Sequence, residues 1–279
     1  MEIFLNVLKE SIKVTLFVLA MMTAVDFINV KTKGRLESIL QTGNKWKQYI
    51  VASLLGAAPG CLGSFAGVSL YMHGMISFGA LTGLMLATAG DEQFIMLAMF
   101  PDTALLMFGI LLLLGIVTGF FTDLIVKKFN IKTCTDCEFK QYHPGQEGYG
   151  HYLRDHIWKH IVKGHLIRIF AWTFGALVVV EYTMNYIDLE SITSEYTLLL
   201  LVTGALIGII PESGPHLIFV MLFAKGLIPF SVLFTSSVVQ DGHGMLPMLS
   251  YSVKDSIRIK MFNLGFGLTI GLIIYLIGY

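Results

Sequence analysis

Four carboxylates interrupt long apolar stretches of this 279-residue chain, at Asp91, Glu92, Glu212 and Asp241. Placing a carboxylate inside a membrane span costs about 2.5–3.5 kcal/mol on insertion scales, so such residues mark ion pathways or proton relays. For Asp91, Glu92 and Asp241, a position at the membrane surface is the alternative. A position at the membrane surface is less compatible with Glu212, because the apolar stretches on either side of it are too short to cross a bilayer separately.

Other polar or metal-ligating side chains share these interruptions. They are Cys61, Ser64 and Thr88 in the first half of the chain and Ser213, His216, Gln240 and His243 in the second. Thiols suit soft metals and metalloids, whereas carboxylates and imidazoles suit manganese and similar divalent ions. We predict that these seven side chains and the four carboxylates bind the substrate ion. Packing roles for the Cys61 thiol and the two imidazoles remain open.

Two further acidic residues, Asp26 and Glu181, lie inside otherwise apolar helical stretches. We interpret them as candidates for a proton relay, with a role in helix packing as the alternative.

A separate group of ligand types occupies the polar segment 126–163, where Cys134 and Cys137 precede His143 and His151. The cysteine spacing fits a zinc or heavy-metal site, but the spacing of the two histidines does not fit a zinc finger. The later part of this segment has the pattern of a basic amphipathic helix lying on the cytoplasmic leaflet.

The composition excludes a soluble globular domain. Apolar residues make up 55% and charged residues 14% of the chain, and the mean hydropathy is +0.72. These values indicate a protein that crosses the membrane several times. The 19 basic residues balance 19 acidic ones, which argues against a nucleic-acid partner. The chain has no Walker-type glycine-rich run for nucleotide binding, and we expect no required cofactor.

An internal repeat organises the apolar stretches. A shift of 152 residues aligns 14 identical positions between 56–119 and 208–271. The helix-breaking residues fall at equivalent places, Pro59 with Pro211 and Gly90 with Gly242. The chain is therefore predicted to be a duplication with interruptions at matching points.

The charges of the short loops predict that the two copies are inverted. Residues 31–47 carry five basic side chains, whereas the counterpart 188–195 carries three acidic ones and no basic one. Conversely, the turn at Pro101-Asp102 has a counterpart that carries Lys254, Arg258 and Lys260. Basic loops mark the cytoplasmic side, so matching loops of opposite character indicate opposite orientations.

The predicted fold is an all-α polytopic membrane protein with two inverted repeats, each with a full helix, a re-entrant hairpin, a discontinuous span and a final helix. The first repeat covers 1–125, a cytoplasmic linker 126–163 and the second repeat 164–279. Irregular backbone at membrane depth survives only where it is buried or lines a watery cavity, so we expect the four breaks to share one cavity.

Several of these motifs resemble the bacterial and archaeal ten-span heavy-metal exporter permeases, variously called arsenic efflux proteins or manganese transporters. They are Gly56-Ala-Ala-Pro-Gly-Cys61, Leu86-Ala-Thr-Ala-Gly-Asp-Glu92, Ile210-Pro-Glu-Ser-Gly-Pro-His216 and Val239-Gln-Asp-Gly-His-Gly244. The resemblance covers nearly the whole chain. Other branches carry a Pro-Asn-Cys-like tip where Pro211-Glu-Ser stands here, so the cargo stays open.

The leading functional hypothesis is a secondary-active transporter in the plasma membrane that exports a metal or metalloid ion by alternating access, driven by protons or sodium. Assembly with further copies of the chain is left open. The rivals are a passive ion channel and an enzyme resembling lipid-diphosphate phosphatases. Phosphatase chemistry needs an arginine beside the serine to hold the diphosphate, and Leu62-Gly63-Ser64 has none, so we expect no enzyme activity.

Overall fold

The computed structural model describes residues 45–58, 60–90, 92–133, 197–212, 214–224 and 226–278, together with scattered residues between 4 and 23 and between 167 and 178. All regular structure among them is helical, which confirms the all-α prediction for this part of the chain. Some predicted site residues lie outside the described residues, namely Asp26, Asp91, Cys134, Cys137, His143, His151, Glu181 and Ser213.

Five helices of the first half are described. They are α1 (Lys45–Ala57), α2 (Leu62–Met72), α3 (Phe78–Ala87), α4 (Glu92–Met99) and α5 (Pro101–Lys128). The 28 residues of α5 span about 42 Å, which is enough to cross a bilayer. The other four have 8 to 13 residues, about half of what a crossing needs. Since α5 continues to Lys128, the predicted boundary at residue 125 falls inside this helix.

The second half follows the same order. Its helices are α6 (Thr197–Ile207), α7 (Gly214–Ala224), α8 (Phe230–Val239), a 3-10 turn (Gly242–Gly244), α9 (Met245–Tyr251) and α10 (Val253–Leu276). The 24-residue α10 is again long and apolar enough to cross a membrane. The bounds of α7 and α8 lie 152 residues after those of α2 and α3 at both ends.

Glycines with left-handed backbone mark equivalent turns in the two halves. Gly74 and Gly226, which follow α2 and α7, have φ of +69° and +70°. Gly90 and Gly242, which follow α3 and α8, have φ of +60° and +52°. Residues with a Cβ rarely adopt this conformation, so Gly74 and Gly226 suit the turns that end α2 and α7, and Gly90 and Gly242 turn the chain three residues after α3 and α8.

The three short helices α1, α2 and α3 of the first half alternate in direction. At the start of α1, Tyr49 donates a hydrogen bond from its hydroxyl to Asp123 Oδ2 near the end of α5, at 2.9 Å. The Gly79 N–H at the start of α3 donates to Asp123 Oδ1 at 2.7 Å. Because α2 ends a few residues before α3, the start of α1 and the end of α2 both lie at this Asp123 end, and α1 and α2 form a hairpin.

The long helices α5 and α10 run in opposite directions. Tyr71, at the end of α2, donates to Asp255 Oδ2 at the start of α10 at 3.0 Å, which places the start of α10 at the Asp123 end. At the opposite, Phe100 end, the Phe100 ring at the start of α5 packs edge-on against Phe223 near the end of α7, with ring centroids 5.0 Å apart. Ile274, near the end of α10, packs against the same hydrophobic cluster as Phe100, so each long helix begins where the other ends.

Close glycine contacts hold α3 against α5. A Cβ placed on Gly83 would lie 2.1 Å from the carbonyl oxygen of Gly115, and one on Gly79 would lie 2.3 Å from that of Gly119. Small residues let helix backbones approach closely, which is a common packing mode in membranes. The opposite side of α5 is apolar yet exposed, with Leu113 64% accessible, as is typical of a surface that faces lipid.

One sequence interpretation is wrong. The loop-charge pattern places Lys260 among the basic residues of a loop, but this lysine lies within α10 and is buried. The helix begins at Val253, where the Ser252 hydroxyl accepts a hydrogen bond from the Asp255 N–H and caps the first turn. Lys254 and Arg258 also lie in the first two turns of α10, but they are not buried, so the charge argument for inversion then depends on these two residues.

Candidate functional site

The four helix breaks lie next to one another. We number them in chain order as the first (58–61), second (88–91), third (208–213) and fourth (240–244) breaks. The Gly60 N–H donates to the Gly90 carbonyl at 3.2 Å and joins the first break to the second. Cys61 and Glu212 both contact His243, which joins the first and third breaks to the fourth. The structure therefore brings breaks from both halves into one cluster.

At the centre of this cluster, three side chains form a thiol–imidazole–carboxylate chain. The Cys61 Sγ lies 3.7 Å from His243 Nδ1, and His243 Nε2 lies 2.9 Å from Glu212 Oε1. The His243 and Glu212 side chains are only 7% and 14% exposed. Each ring nitrogen faces a group that can donate or accept a proton, so protons can be exchanged between the three side chains.

The thiol, imidazole and carboxylate also supply sulfur, nitrogen and oxygen ligands for a metal ion. No group of three or more His, Cys, Asp or Glu side chains in the described part of the chain surrounds a position for such an ion. The reason is geometric, since His243 lies between the other two and uses one nitrogen for each. Cargo binding at these residues requires the imidazole to exchange its present contacts for the metal.

Ser64 and Thr88 position the breaks. The Ser64 hydroxyl donates to the Cys61 carbonyl at 2.9 Å, and Thr88 Oγ1 accepts a hydrogen bond from the Gly90 N–H at 3.3 Å. Gly244 packs directly on Ser64, where a Cβ would lie 2.4 Å from the serine Cβ. This contact ties the fourth break to the start of α2.

The remaining described candidates are buried around the cluster. Glu92 is 1% exposed at the first turn of α4, so a solvent-facing position for this carboxylate is excluded. His216 on α7 contacts Ser236 on α8 through Nδ1, at 3.1 Å from the hydroxyl, rather than the thiol–imidazole–carboxylate chain. Both amide atoms of Gln240 are buried and have no hydrogen-bond partner among the described residues. Buried amides are normally hydrogen-bonded, so Gln240 carries unused donors and an unused acceptor at the fourth break.

Asp241 belongs to a second polar group. Its carboxylate contacts the Lys260 Nζ at 2.7 Å through Oδ2 and the Asn263 Nδ2 at 2.7 Å through Oδ1. The Lys260 Nζ also donates to the carbonyls of Gly208 at 2.8 Å and Val239 at 3.1 Å. We call Asp241, Asn263 and these two carbonyls the Lys260 cage.

Sequence reasoning missed Lys260 and Asn263. Their three-residue spacing puts them on one face of α10, which is the signal that could have identified them. Because Lys260 lies close to the start of the apolar stretch, its position in the sequence assigns it to the preceding loop.

One comparison with known proteins identifies the family of this chain. The sequence profile of a family described as 10TM heavy-metal exporters matches residues 1–167 and 151–277. No curated protein and no solved structure gave a match. Because the profile matches nearly the entire length, the chain belongs to this family, and the resemblance noted from the motifs is confirmed.

Proposed function

We propose that this member of the 10TM heavy-metal exporter family is a secondary-active transporter that moves a metal ion by alternating access around the four helix breaks. The observation that carries the proposal is the buried contact of His243 with both Cys61 and Glu212. These three residues come from breaks in both halves of the chain. A cargo ion held among them is therefore placed between two units that can rock against each other.

The proposed membrane arrangement is an inverted repeat. It is supported by the opposite directions of α5 and α10 and by two equivalent contacts between the halves. Tyr71 on α2 contacts the start of α10, and Phe223, which lies 152 residues after Tyr71, contacts the start of α5. A parallel duplication would give these two contacts at the same end of the molecule.

The hairpin of α1 and α2 is proposed to be re-entrant. Its arms have 13 and 11 residues, about 20 and 17 Å, and both open at the Asp123 end. Arms of this length turn near the middle of a hydrocarbon core about 30 Å thick. The cluster of breaks would then lie at the midplane, where exposed backbone is tolerated only around a cavity.

We further propose that protons and cargo compete for the same residues. Thiols, imidazoles and carboxyls bind metals only after losing their protons. In the present arrangement both ring nitrogens of His243 are engaged by Cys61 and Glu212, and at least one of them carries a proton, so metal entry must displace protons. Exchange of the two on opposite sides of the membrane couples export to the proton gradient.

The ligand types favour a divalent transition metal ion. Imidazole suits zinc, copper, iron and nickel, and a single thiol adds affinity for zinc-like ions. One thiol, Cys61, is fewer than the several that soft ions prefer. We therefore propose Zn²⁺ or a similar ion as cargo ahead of Mn²⁺ or arsenite.

The enzyme alternative receives no support from the site. The Ser64 hydroxyl donates to a backbone carbonyl and packs beneath Gly244. Arg258 pairs with Asp255 at 2.7 Å, and this pair lies at the Asp123 end. Neither side chain is arranged to hold and attack a phosphate.

Uptake into everted membrane vesicles tests the proposal. With an imposed pH gradient, wild-type vesicles should accumulate Zn²⁺, and Glu212→Gln should lower the initial rate at least about tenfold, as is usual when a metal-site group is altered. Asp102→Asn is the matched control, because this carboxylate is exposed in the first turn of α5, and its rate should stay near that of the wild type. Unchanged uptake in Glu212→Gln would overturn the assignment.

A further inference from the structure

We infer that the Lys260 cage is a monovalent-cation site whose resident occupant is the Lys260 ammonium, and that transport consequently requires no sodium ion. The binding part of this inference depends only on the geometry of the cage. Its consequence for transport rests on the proposed function.

Each N–H donor of the Lys260 ammonium has an oxygen acceptor. Lys260 Nζ has three N–H donors, and it meets three oxygens, from Asp241, Gly208 and Val239, at 2.7, 2.8 and 3.1 Å. Carboxylate and carbonyl oxygens are the ligands that hard cations take in proteins. The ammonium thus stands where a small monovalent cation would be held.

Two of the ligands lie at helix ends that favour a cation. Val239 is the last residue of α8, and Gly208 directly follows the last residue of α6. Carbonyls at the C-terminal end of a helix have no intrahelical partner and carry the negative end of the helix dipole. Broken helices of membrane transporters bind cations with such ends.

Because Asp241 and Lys260 are buried, the Asp241 carboxylate needs a cation beside it. The Asp241 side chain is fully buried and that of Lys260 is 10% exposed. A buried carboxylate without a countercharge is strongly unfavourable, so some cation must accompany Asp241 whenever it is ionised.

The first half of the chain provides an internal comparison. The shift of 152 residues places Ala89, Phe108 and Leu111 at the positions of Asp241, Lys260 and Asn263. Ala89 and Leu111 are completely buried and belong to one hydrophobic cluster, against which Phe108 packs. The same helix arrangement is therefore built with apolar side chains, so the ion pair is not needed for the fold and points to a function.

The cage is separate from the thiol–imidazole–carboxylate chain but shares a segment with it. Asp241 and His243 are two residues apart in the fourth break, and one contacts Lys260 while the other contacts Glu212. A cation fixed in the cage therefore fixes the backbone that carries the imidazole.

The test removes the tethered cation and supplies a free one. The purified Lys260→Ala protein is heated in sodium chloride and in choline chloride at equal ionic strength, beside the wild type and the Asp241→Asn/Lys260→Ala double variant. We expect sodium to raise the melting temperature of Lys260→Ala by several degrees and to leave the other two unchanged. No sodium effect on Lys260→Ala, or an equal effect on the wild type, would overturn the inference.

A second measurement covers the case in which Lys260→Ala does not fold. Wild-type vesicles are assayed for Zn²⁺ uptake with sodium replaced by choline on both sides. Undiminished uptake supports the resident-ammonium inference, and a requirement for sodium overturns it. The absence of any Zn²⁺ uptake by the wild type under all conditions would instead count against the proposed function, and the melting experiment would still decide the cage.

Discussion

His243 is the residue that connects the two halves at the candidate site. Its ring contacts a thiol from the first half and a carboxylate from the second, at 3.7 and 2.9 Å. We expect His243→Gln to lower the metal affinity of the purified protein at least about tenfold, because the central ligand is lost. Titration calorimetry with Zn²⁺ checks this result. His73→Gln is the control, since that buried imidazole, at the C-terminal end of α2, bonds to Ser69 O and should keep wild-type affinity; equal losses in both variants would contradict the prediction.

Proton competition at this site predicts the direction in which metal affinity changes with pH. Metal binding must release the protons held among Cys61, His243 and Glu212, so the affinity should fall as the pH falls, by about tenfold per pH unit for each proton displaced. Calorimetry in buffers of different ionisation enthalpy measures the number of protons released. An affinity that is constant or rises on acidification would refute the exchange of protons for cargo.

The sequence identifies some residues of the site and misses others for physical reasons. Glu212 and His243 are predictable because a charged or ligating side chain beside a helix breaker, within an apolar stretch, seldom serves packing alone. Lys260 is not, because a cation close to a predicted helix start usually lies in solvent, and only the three-dimensional packing shows that it turns inward to Asp241. That the thiol of Cys61 contacts an imidazole 182 residues away is likewise beyond sequence spacing.

At the level of secondary structure, glycine patterns determine how closely the helices pack. The α3–α5 contact depends on Gly83 and Gly115, whose backbones leave no room for a side chain. We expect Gly83→Val to destabilise the protein by about 1–3 kcal/mol through overpacking, and thermal unfolding in detergent measures the loss. Gly109→Ala on α5 is the control, since a Cβ there would meet nothing within 4 Å, and it should unfold at or above the wild-type temperature. Equal stability of Gly83→Val and the wild type would contradict the close packing.

The helix breaks are predictable from the sequence, whereas the short helices beyond them are not. Pro211, Gly90 and Gly242 interrupt apolar stretches, and a described helix ends about one turn before each of them. Helices α4 and α9 are only 8 and 7 residues long, too short for periodicity to define their bounds. Their positions follow from tertiary packing instead.

For the whole molecule, the proposed inversion of the repeats is the feature on which the proposed mechanism depends. Asp102 and Lys254 are related by the shift of 152 residues and are exposed near the starts of α5 and α10. In a background without native cysteines, we expect Asp102→Cys to react with a membrane-impermeant maleimide in intact cells and Lys254→Cys to react only after permeabilisation. We expect the Asp123 end to be cytoplasmic because basic residues, such as Lys127 and Lys128, lie there. Labelling of both positions from the same side would refute the inverted arrangement.

The most direct test of the central claim is a bound-metal analysis of the purified protein. If the breaks form the cargo site, Cys134→Ser/Cys137→Ser should retain the metal content of the wild type, because these two cysteines lie in the central linker. Glu212→Gln and Cys61→Ser should lose bound metal, because their side chains flank His243. Full metal content in the latter two variants, with loss of metal from the linker variant, would contradict the account and move the binding site to the linker.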